Sequence, residues 1–276
     1  MRYFVSDTMA QSWGYTSENG PHTWATKFPD AAGHAQSPVN ICCNDVIYDS
    51  ALNMTSLKTT YDVEDSFEVV NTGESFKVNI KKNSELTGGP LKDTYRLEQF
   101  HLHWGSNDDH GSEHTIDGQT YAAELHLVHY NCTKYGSFGE AVDKPDGLAV
   151  LGIMIQSGAE HPGFKNLVDT MRNVKSRGQT CTVLKTFNPA SLLPGNINSY
   201  WTYHGSLTTP PCYESVQWIV LRQPTQYSPK QLQALRSLLN ASEGGVCIQD
   251  NFRPPLPLGD RKIRSSFTEV ISSTKI

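Results

Sequence analysis

The sequence predicts a mainly β, α+β fold: one domain around a large, mostly antiparallel sheet decorated by short helices. Three observations carry this. Strand periodicity dominates from Ser66 onward, only two segments show helical spacing, and no repeat or Gly/Ser- or Pro-rich linker divides the 276 residues. The first clear strand has Phe76, Val78 and Ile80 alternating with Lys77, Asn79 and Lys81, the period-2 signature of a half-buried strand. A turn-rich stretch with Asn83, Gly88, Gly89 and Pro90 follows. Residues Tyr95 to Trp104 and Tyr121 to Asn131 then read as long strands separated by a polar loop. Gly147 to Gln156 is apolar on both parities, which fits a central strand covered on both faces, and Glu214 to Arg222 looks similar. Of the two helical segments, Pro162 to Lys175 places Phe164, Leu167, Val168, Met171 and Val174 on one stripe. In the other, Ser228 and Pro229 start a run carrying Leu232, Leu235, Leu238 and Leu239.

Composition removes several function classes. Lysine and arginine total 23 against 28 acidic residues, a net charge of -5, with no basic cluster of the kind that grips nucleic acid or an anionic membrane. The longest apolar run, Gly147 to Ile155, is far short of the roughly 18 residues of a spanning helix. Six cysteines, Cys42, Cys43, Cys132, Cys181, Cys212 and Cys247, include no C-x-x-C pair, which argues against a zinc finger or a thioredoxin-like centre. Near the N-terminus Tyr3, Phe4 and Val5 are followed at once by Ser6 and Asp7, so the roughly 7 to 15 apolar residues of a secretory leader are not seen. Sequons at Asn53, Asn131 and Asn240 are about what chance gives in a chain rich in Asn, Ser and Thr.

The informative segment is Gln99-Phe100-His101-Leu102-His103-Trp104. Residues i and i+2 of a strand share a face, so His101 and His103 project together while Phe100, Leu102 and Trp104 enter the core. In Glu124-Leu125-His126-Leu127-Val128 the design recurs, with Glu124, His126 and Val128 on one face. If the two strands are neighbours, three imidazoles meet. A lone strand histidine is ordinarily a satisfied or surface group; the pair together with His126 tips the reading to a metal site. Three neutral imidazoles without a thiolate or aspartate at ligand spacing suit Zn2+ with an open fourth position, the arrangement of a catalytic rather than a structural zinc. Gln99 beside His101 and Glu124 beside His126 are placed to accept the second N–H of each ring. For His22, His34, His110, His114, His129, His161 and His204 spacing supports only a structural reading.

At this point the chain resembles the α-class carbonic anhydrases from Trp13-Gly14-Tyr15 to Phe267. The shared motifs include Gln36-Ser37-Pro38-Val39-Asn40-Ile41, Gly111-Ser112-Glu113-His114-Thr115, Pro145 to Val150, Gly205 to Pro211 and Asn251-Phe252-Arg253-Pro254. The resemblance implies a single domain over 1–276, core 13–267 with flexible ends 1–12 and 268–276, on a twisted sheet of about ten strands. It implies reversible hydration of CO2 to bicarbonate and a proton, a monomer, and no nucleic-acid or membrane partner. His101, His103 and His126 would hold Zn2+; Gln99, Asn251 through its carbonyl, and Glu124 would orient them, with Tyr15 nearby. Thr208 would accept a hydrogen bond from zinc-bound hydroxide and donate its own to Glu113. Val128, Val150, Leu207 and Trp218 would form the apolar CO2 wall, with Thr209 beside the substrate. The competing class is a catalytically silent binding module on the same fold, but such relatives lose a zinc ligand and none is lost here.

The departures lie at the cavity mouth and among the cysteines. Fast family members relay protons through a histidine at the position that is Glu74 here. A carboxylate of ordinary pKa about 4.3 is a poorer relay than an imidazole near 6.5. Lys77 is expected to pair with Glu74 and lower its pKa further. Glu98 stands where an apolar rim residue is usual. Secreted members commonly bridge a cysteine at the position of Ala31 to one at Cys212, and Ala31 forbids that bond. With no leader or apolar tail in view, cytoplasm is expected, a secreted form that has lost its leader being the alternative.

Overall fold

The structure, a computed structural model, describes residues 13–268. Of the two ends expected to be flexible, all but Thr268 lie outside the described residues. Ten strands cross the main sheet in one path. In chain order they are β1 Ile47–Tyr48, β2 Phe67–Asn71, β3 Phe76–Asn79, β4 Tyr95–Trp104, β5 Ala123–Asn131, β6 Leu148–Ser157, β7 Thr180–Val183, β8 Tyr200–Gly205, β9 Val216–Leu221 and β10 Arg264–Ser265. In space they run β7-β2-β3-β4-β5-β6-β9-β8-β10-β1. Three further strands, Lys58–Thr60, Glu85–Thr87 and Thr225–Tyr227, branch from this path, so the sheet holds 13 strands rather than about ten. Three-residue pieces are too short to show a period; they exist because the ends of β4 and β6 offer unpaired backbone. Pairing is antiparallel except for β6 with β9, β6 with Thr225–Tyr227 and β10 with β1.

Helices are few and short: α1 Phe138–Ala141, α2 Pro162–Met171 and α3 Pro229–Leu235. The α2 spacing ran on to Lys175, but the helix stops at Met171 and Val174 is buried from the turn that follows. Helix α3 opens with a capping box between Ser228 and Gln231, which satisfies two otherwise orphaned N–H groups.

The sheet buries both faces. On one, Phe100, Leu102 and Trp104 of β4 pack with Leu125 and Leu127 of β5, all fully buried. Each such side chain contributes roughly 1.5–3 kcal/mol by leaving water, which fixes the strand parity. On the other, Val128, Val150, Val216 and Trp218 form a second cluster. Between these faces β4 carries a bulge: Leu97 pairs with His129, yet Gln99 pairs with Val128, leaving Glu98 without an opposite residue. The bulge explains why odd-numbered Tyr95 and Leu97 share the core with even-numbered Phe100 and Leu102. Past it, Gln99, His101 and His103 all turn to the opposite side. The site therefore depends on one extra residue in one strand.

Candidate active site

Register brings the histidines together. His101 lies directly opposite His126 across the β4/β5 ladder, and His103 opposite Glu124. Ring centroids are 5.1 Å apart for His101 and His103, 5.3 Å for His101 and His126, and 4.8 Å for His103 and His126. One nitrogen of each ring is engaged by an acceptor. His101 Nδ1 donates to Gln99 Oε1 at 2.9 Å, His103 Nδ1 to the Asn251 carbonyl at 2.8 Å, and His126 Nε2 to Glu124 Oε1 at 2.7 Å. Those donations fix the tautomers and leave three lone pairs, on His101 Nε2, His103 Nε2 and His126 Nδ1, facing a common point. Burial pushes all three imidazoles below their ordinary pKa, His103 to about 4, so they are neutral at physiological pH.

The fit to a cation shows in two orphaned atoms. His103 Nε2 and Glu113 Oε2 are both buried without a hydrogen-bond partner. An acceptor nitrogen in a dry site with no donor wants a proton or a metal, and its depressed pKa argues against the proton. A second trio, His114, Glu124 and His126, also clusters. It is a hydrogen-bond hub instead. Glu124 Oε1 accepts from both His114 Nδ1 and His126 Nε2, and Oε2 accepts the backbone N–H groups of Glu113 and His114 at 2.9 and 2.8 Å. Burial alone would raise the Glu124 pKa; the two histidines hold it well below the carboxylate range. Glu124 thus orients His126 as expected. His114, read as structural from spacing, supports that orientation, and its Nε2 lies at hydrogen-bonding distance, 2.6 Å, from Tyr203 Oη.

Glu113 lies beside these histidines, its Oε2 3.4 Å from His103 Nε2 and 3.9 Å from His126 Nδ1. Its Oε1 accepts the Arg253 N–H at 2.8 Å. Burial pushes its pKa up to about 7, opposed by His126, by the Arg253 N–H and by a hydrogen bond from Thr208. Thr208 therefore lies near enough to the Glu113 carboxyl to influence it. Tyr15 is close enough that Glu113 and Glu74, after burial, raise its pKa, which keeps it a phenol.

The apolar wall forms one row across three strands: Val128 pairs with Val150, and Val150 with Trp218. Trp218 lies 4.8 Å from the His126 ring, and its Nε1–H donates to the Ser206 carbonyl, fixing the indole beside that imidazole. Leu207 packs partly buried against the row. All four were equally readable as core, and Val128, Val150 and Trp218 are at most 3% exposed. A cavity of about 190 Å3 opens onto His101, His103 and Thr209 from the side of Tyr15, Glu74 and Lys77.

At the mouth, two expectations fail. Glu74 does not pair with Lys77: its carboxylate lies 3.6 Å from Arg177, a residue after α2 with no sequence signal pointing here. Nor is its pKa lowered. Burial raises it, and hydrogen bonding by Thr72 and the Arg177 charge only partly oppose this. The reason is geometric, because Glu74 sits in the turn before β3, whereas Lys77 is opposite His101 in the β3/β4 ladder and acts on His101 and the bulged Glu98. Among the described residues no two cysteines form a disulfide; burial pushes Cys212 up to about 11, and the Ala31 carbonyl accepts from Arg253.

Comparison with known proteins shows the family to which the chain belongs. The family model for eukaryotic-type carbonic anhydrase matches residues 19–267. The chain is 46% identical to carbonic anhydrase 1 of Mus musculus over 260 residues, covering 92% of this chain and 98% of the relative. It is 46% identical to carbonic anhydrase 7 of Homo sapiens, covering 92% and 97%. With carbonic anhydrase 3 of Rattus norvegicus it shares 45% over 264 residues, 94% of this chain and all of the relative.

Proposed function

Since the chain belongs to the eukaryotic-type carbonic anhydrase family and catalyses the reversible hydration of CO2, we propose that His101, His103 and His126 hold its zinc ion. The observation that carries this is the convergence of three ring lone pairs on one dry point, each tautomer fixed by a partner behind it. A set of three neutral nitrogens without thiolate is the donor chemistry of catalytic zinc. Zinc so held supplies a Lewis acid that lowers the pKa of water in its open position to about 7, carbonic anhydrase being itself the reference case for that value.

The chain's own residues do the rest. Gln99, Glu124 and the Asn251 carbonyl lock the ring orientations. Glu113, accepting the Thr208 hydrogen, leaves the Thr208 oxygen able only to accept. A reacting O–H must then point its hydrogen at Thr208 and turn a lone pair toward the substrate carbon. Val128, Val150, Leu207 and Trp218 offer CO2 an apolar wall that gives bicarbonate no hydrogen bond, while Thr209 flanks the pocket from the polar side. The proton released in each hydration leaves past Glu74, whose raised pKa brings its protonated form closer to the working range than an ordinary carboxylate. All the groups a silent relative would lack are in place, so no observation favours a binding module.

We place the protein in the cytoplasm as a monomer. Ala31 at the position of the usual extracellular bridging cysteine supports the first, and the scatter of exposed large apolar residues (Ile47, Tyr48, Met54, Val63, Leu184 and Val246) supports the second. No helix among the described residues is long and apolar enough to cross a membrane. The deciding experiment is metal analysis with stopped-flow CO2 hydration of wild type and His101→Ala. One zinc per chain and hydration that falls more than about 100-fold in the variant, beyond the range of losing an orienting partner alone, are expected. Unchanged hydration in His101→Ala would overturn the ligand assignment.

A further inference from the structure

The Asn251 carbonyl that receives His103 Nδ1–H belongs to residues 249–253, a segment without regular secondary structure. Something other than a strand ladder must hold it. Asn251 is pinned through its own side chain, Oδ1 accepting the Trp104 N–H and Nδ2 donating to the Glu74 carbonyl, both at 2.7 Å. Downstream, the Arg253 N–H is bound by Glu113. Upstream, Asp250 adopts left-handed backbone, φ +54°, a conformation that needs outside support in a non-glycine residue. The support comes from the surface loop after β4. Asp250 Oδ1 accepts the Ser106 N–H at 2.7 Å and His110 Nε2–H at 2.8 Å, and the His110 ring meets Phe252 edge-on at 5.9 Å.

We propose that His110 and Asp250 form a clasp that positions the Asn251 carbonyl against His103, making both positioning residues for the metal centre. The inference rests on reading His103 as a metal ligand. It places a solvent-accessible, titratable group two hydrogen bonds and one peptide from a buried ring nitrogen. His110 is gripped on both sides, Nδ1 by Asp109 and Nε2 by Asp250, with the Ser106 hydroxyl 3.3 Å from Nε2. Only the imidazolium can donate to both carboxylates at once; the neutral ring must release one. The charged groups facing the ring are these two aspartates. Arg236, after α3, is turned instead to the Gly105 and Asn107 carbonyls and to Asp108. The hydrogen bond to Asp109, and then that to Asp250, raises the His110 pKa above the ordinary histidine value. With a folded-state pKa that is raised, the two-sided grip is complete below the ordinary value; as pH rises through the higher one the neutral ring keeps one bond, to Asp109 at 2.5 Å rather than to Asp250 at 2.8 Å, and the clasp is released.

The test follows zinc loss from zinc-loaded protein into excess chelator, for wild type, His110→Ala, Asp250→Asn and Asp108→Asn, between about pH 6 and pH 9. Expressing each variant relative to wild type at the same pH cancels the protonation of the ligands themselves. His110→Ala should release zinc about three- to tenfold faster near pH 6, less than the 10- to 100-fold of a group touching a ligand directly, and approach wild type near pH 9. Asp250→Asn keeps the Ser106 acceptor and tolerates left-handed backbone, so it should show a smaller acceleration of the same sign. Asp108→Asn loosens the same loop from Arg236 without touching Asp250 and should change the rate less than about twofold. The clasp is overturned if His110→Ala and Asp250→Asn release zinc at the wild-type rate, if the acceleration does not vary with pH, or if Asp108→Asn matches them. A wild type that takes up no zinc would overturn the ligand reading first, and the clasp with it.

Discussion

The floor and the mouth of the cavity are built on different terms. On the floor, His103, His126 and Glu124 are essentially inaccessible, and each is held by a hydrogen bond behind it. Two buried atoms without a hydrogen-bond partner, His103 Nε2 and Glu113 Oε2, lie 3.4 Å apart beside the proposed metal position. At the mouth, Glu74, Lys77 and Glu98 come from a turn, a strand and a bulge, and Glu74 lies 3.6 Å from the Arg177 guanidinium. Floor residues are held by ladder register and hydrogen bonds behind them, so a change there is felt by the whole fold. Mouth residues are only partly buried and their side chains stand outside the hydrogen-bond network behind the three histidine rings, so their charge can vary with less effect on the floor. Chemistry sits where the fold is over-determined, and tuning sits where it is not.

If that contrast is right, the largest effect of a single change away from the ligands should come from Glu124→Ala. The substitution strands the N–H groups of His114 and His126 and two backbone N–H groups in a dry site. Removing one member of a buried charged network costs about 3–5 kcal/mol, and losing an orienting carboxylate costs about 10- to 100-fold in metal affinity. Thermal melts and zinc competition titrations should both register the change. A variant that kept wild-type stability and zinc affinity would break the claim that the floor is over-determined.

Next in size are Thr208→Ala and Glu113→Gln. Each should lower kcat/KM for hydration by about 100-fold, the cost of one preorganised hydrogen-bonding partner, with bound zinc unchanged. Because the two act as a chain, from Glu113 through Thr208 to the reacting O–H, the double variant should be little worse than either single one. Additive losses would show that they act separately and would undo the orientation argument.

The same contrast explains what could be read from sequence. The floor was legible because the strand period and hydrophobic parity dictate it: Phe100, Leu102 and Trp104 must go inward, so His101 and His103 must go outward. The Gln99 and Glu124 supports followed from the same parity. The wall was legible only through family resemblance, since Val128, Val150 and Trp218 are also plain core residues. The bulge at Glu98 gave no signal, because one unpaired residue in a ten-residue strand leaves the local pattern on either side intact. Arg177, brought to Glu74 from 103 positions away by the packing of the turn after α2, could not be found from local spacing. The short branching strands escaped for the same reason: they are made by their neighbours, not by their own composition.

The smallest expected effect belongs to the mouth, where Glu74 tests whether tuning there is independent of the floor. Two influences compete at its carboxylate. Burial raises its pKa toward the range in which it can both take up and release a proton near neutrality, while hydrogen bonding by Thr72 and the Arg177 charge pull it back. An imidazole at this position, with an ordinary pKa near 6.5, would still be better matched than a carboxylate. Glu74→His should therefore raise hydration turnover in weak buffer by less than about tenfold, leave kcat/KM and zinc content unchanged, and respond less than wild type to added imidazole. Arg177→Gln removes the opposing charge and lets burial act on Glu74 more fully, so it should move weak-buffer turnover in the same direction by a smaller amount. If Glu74→His instead alters zinc content or kcat/KM, the mouth is coupled to the floor through the Glu74 carbonyl and Asn251, and the separation between the two regions fails at that hydrogen bond.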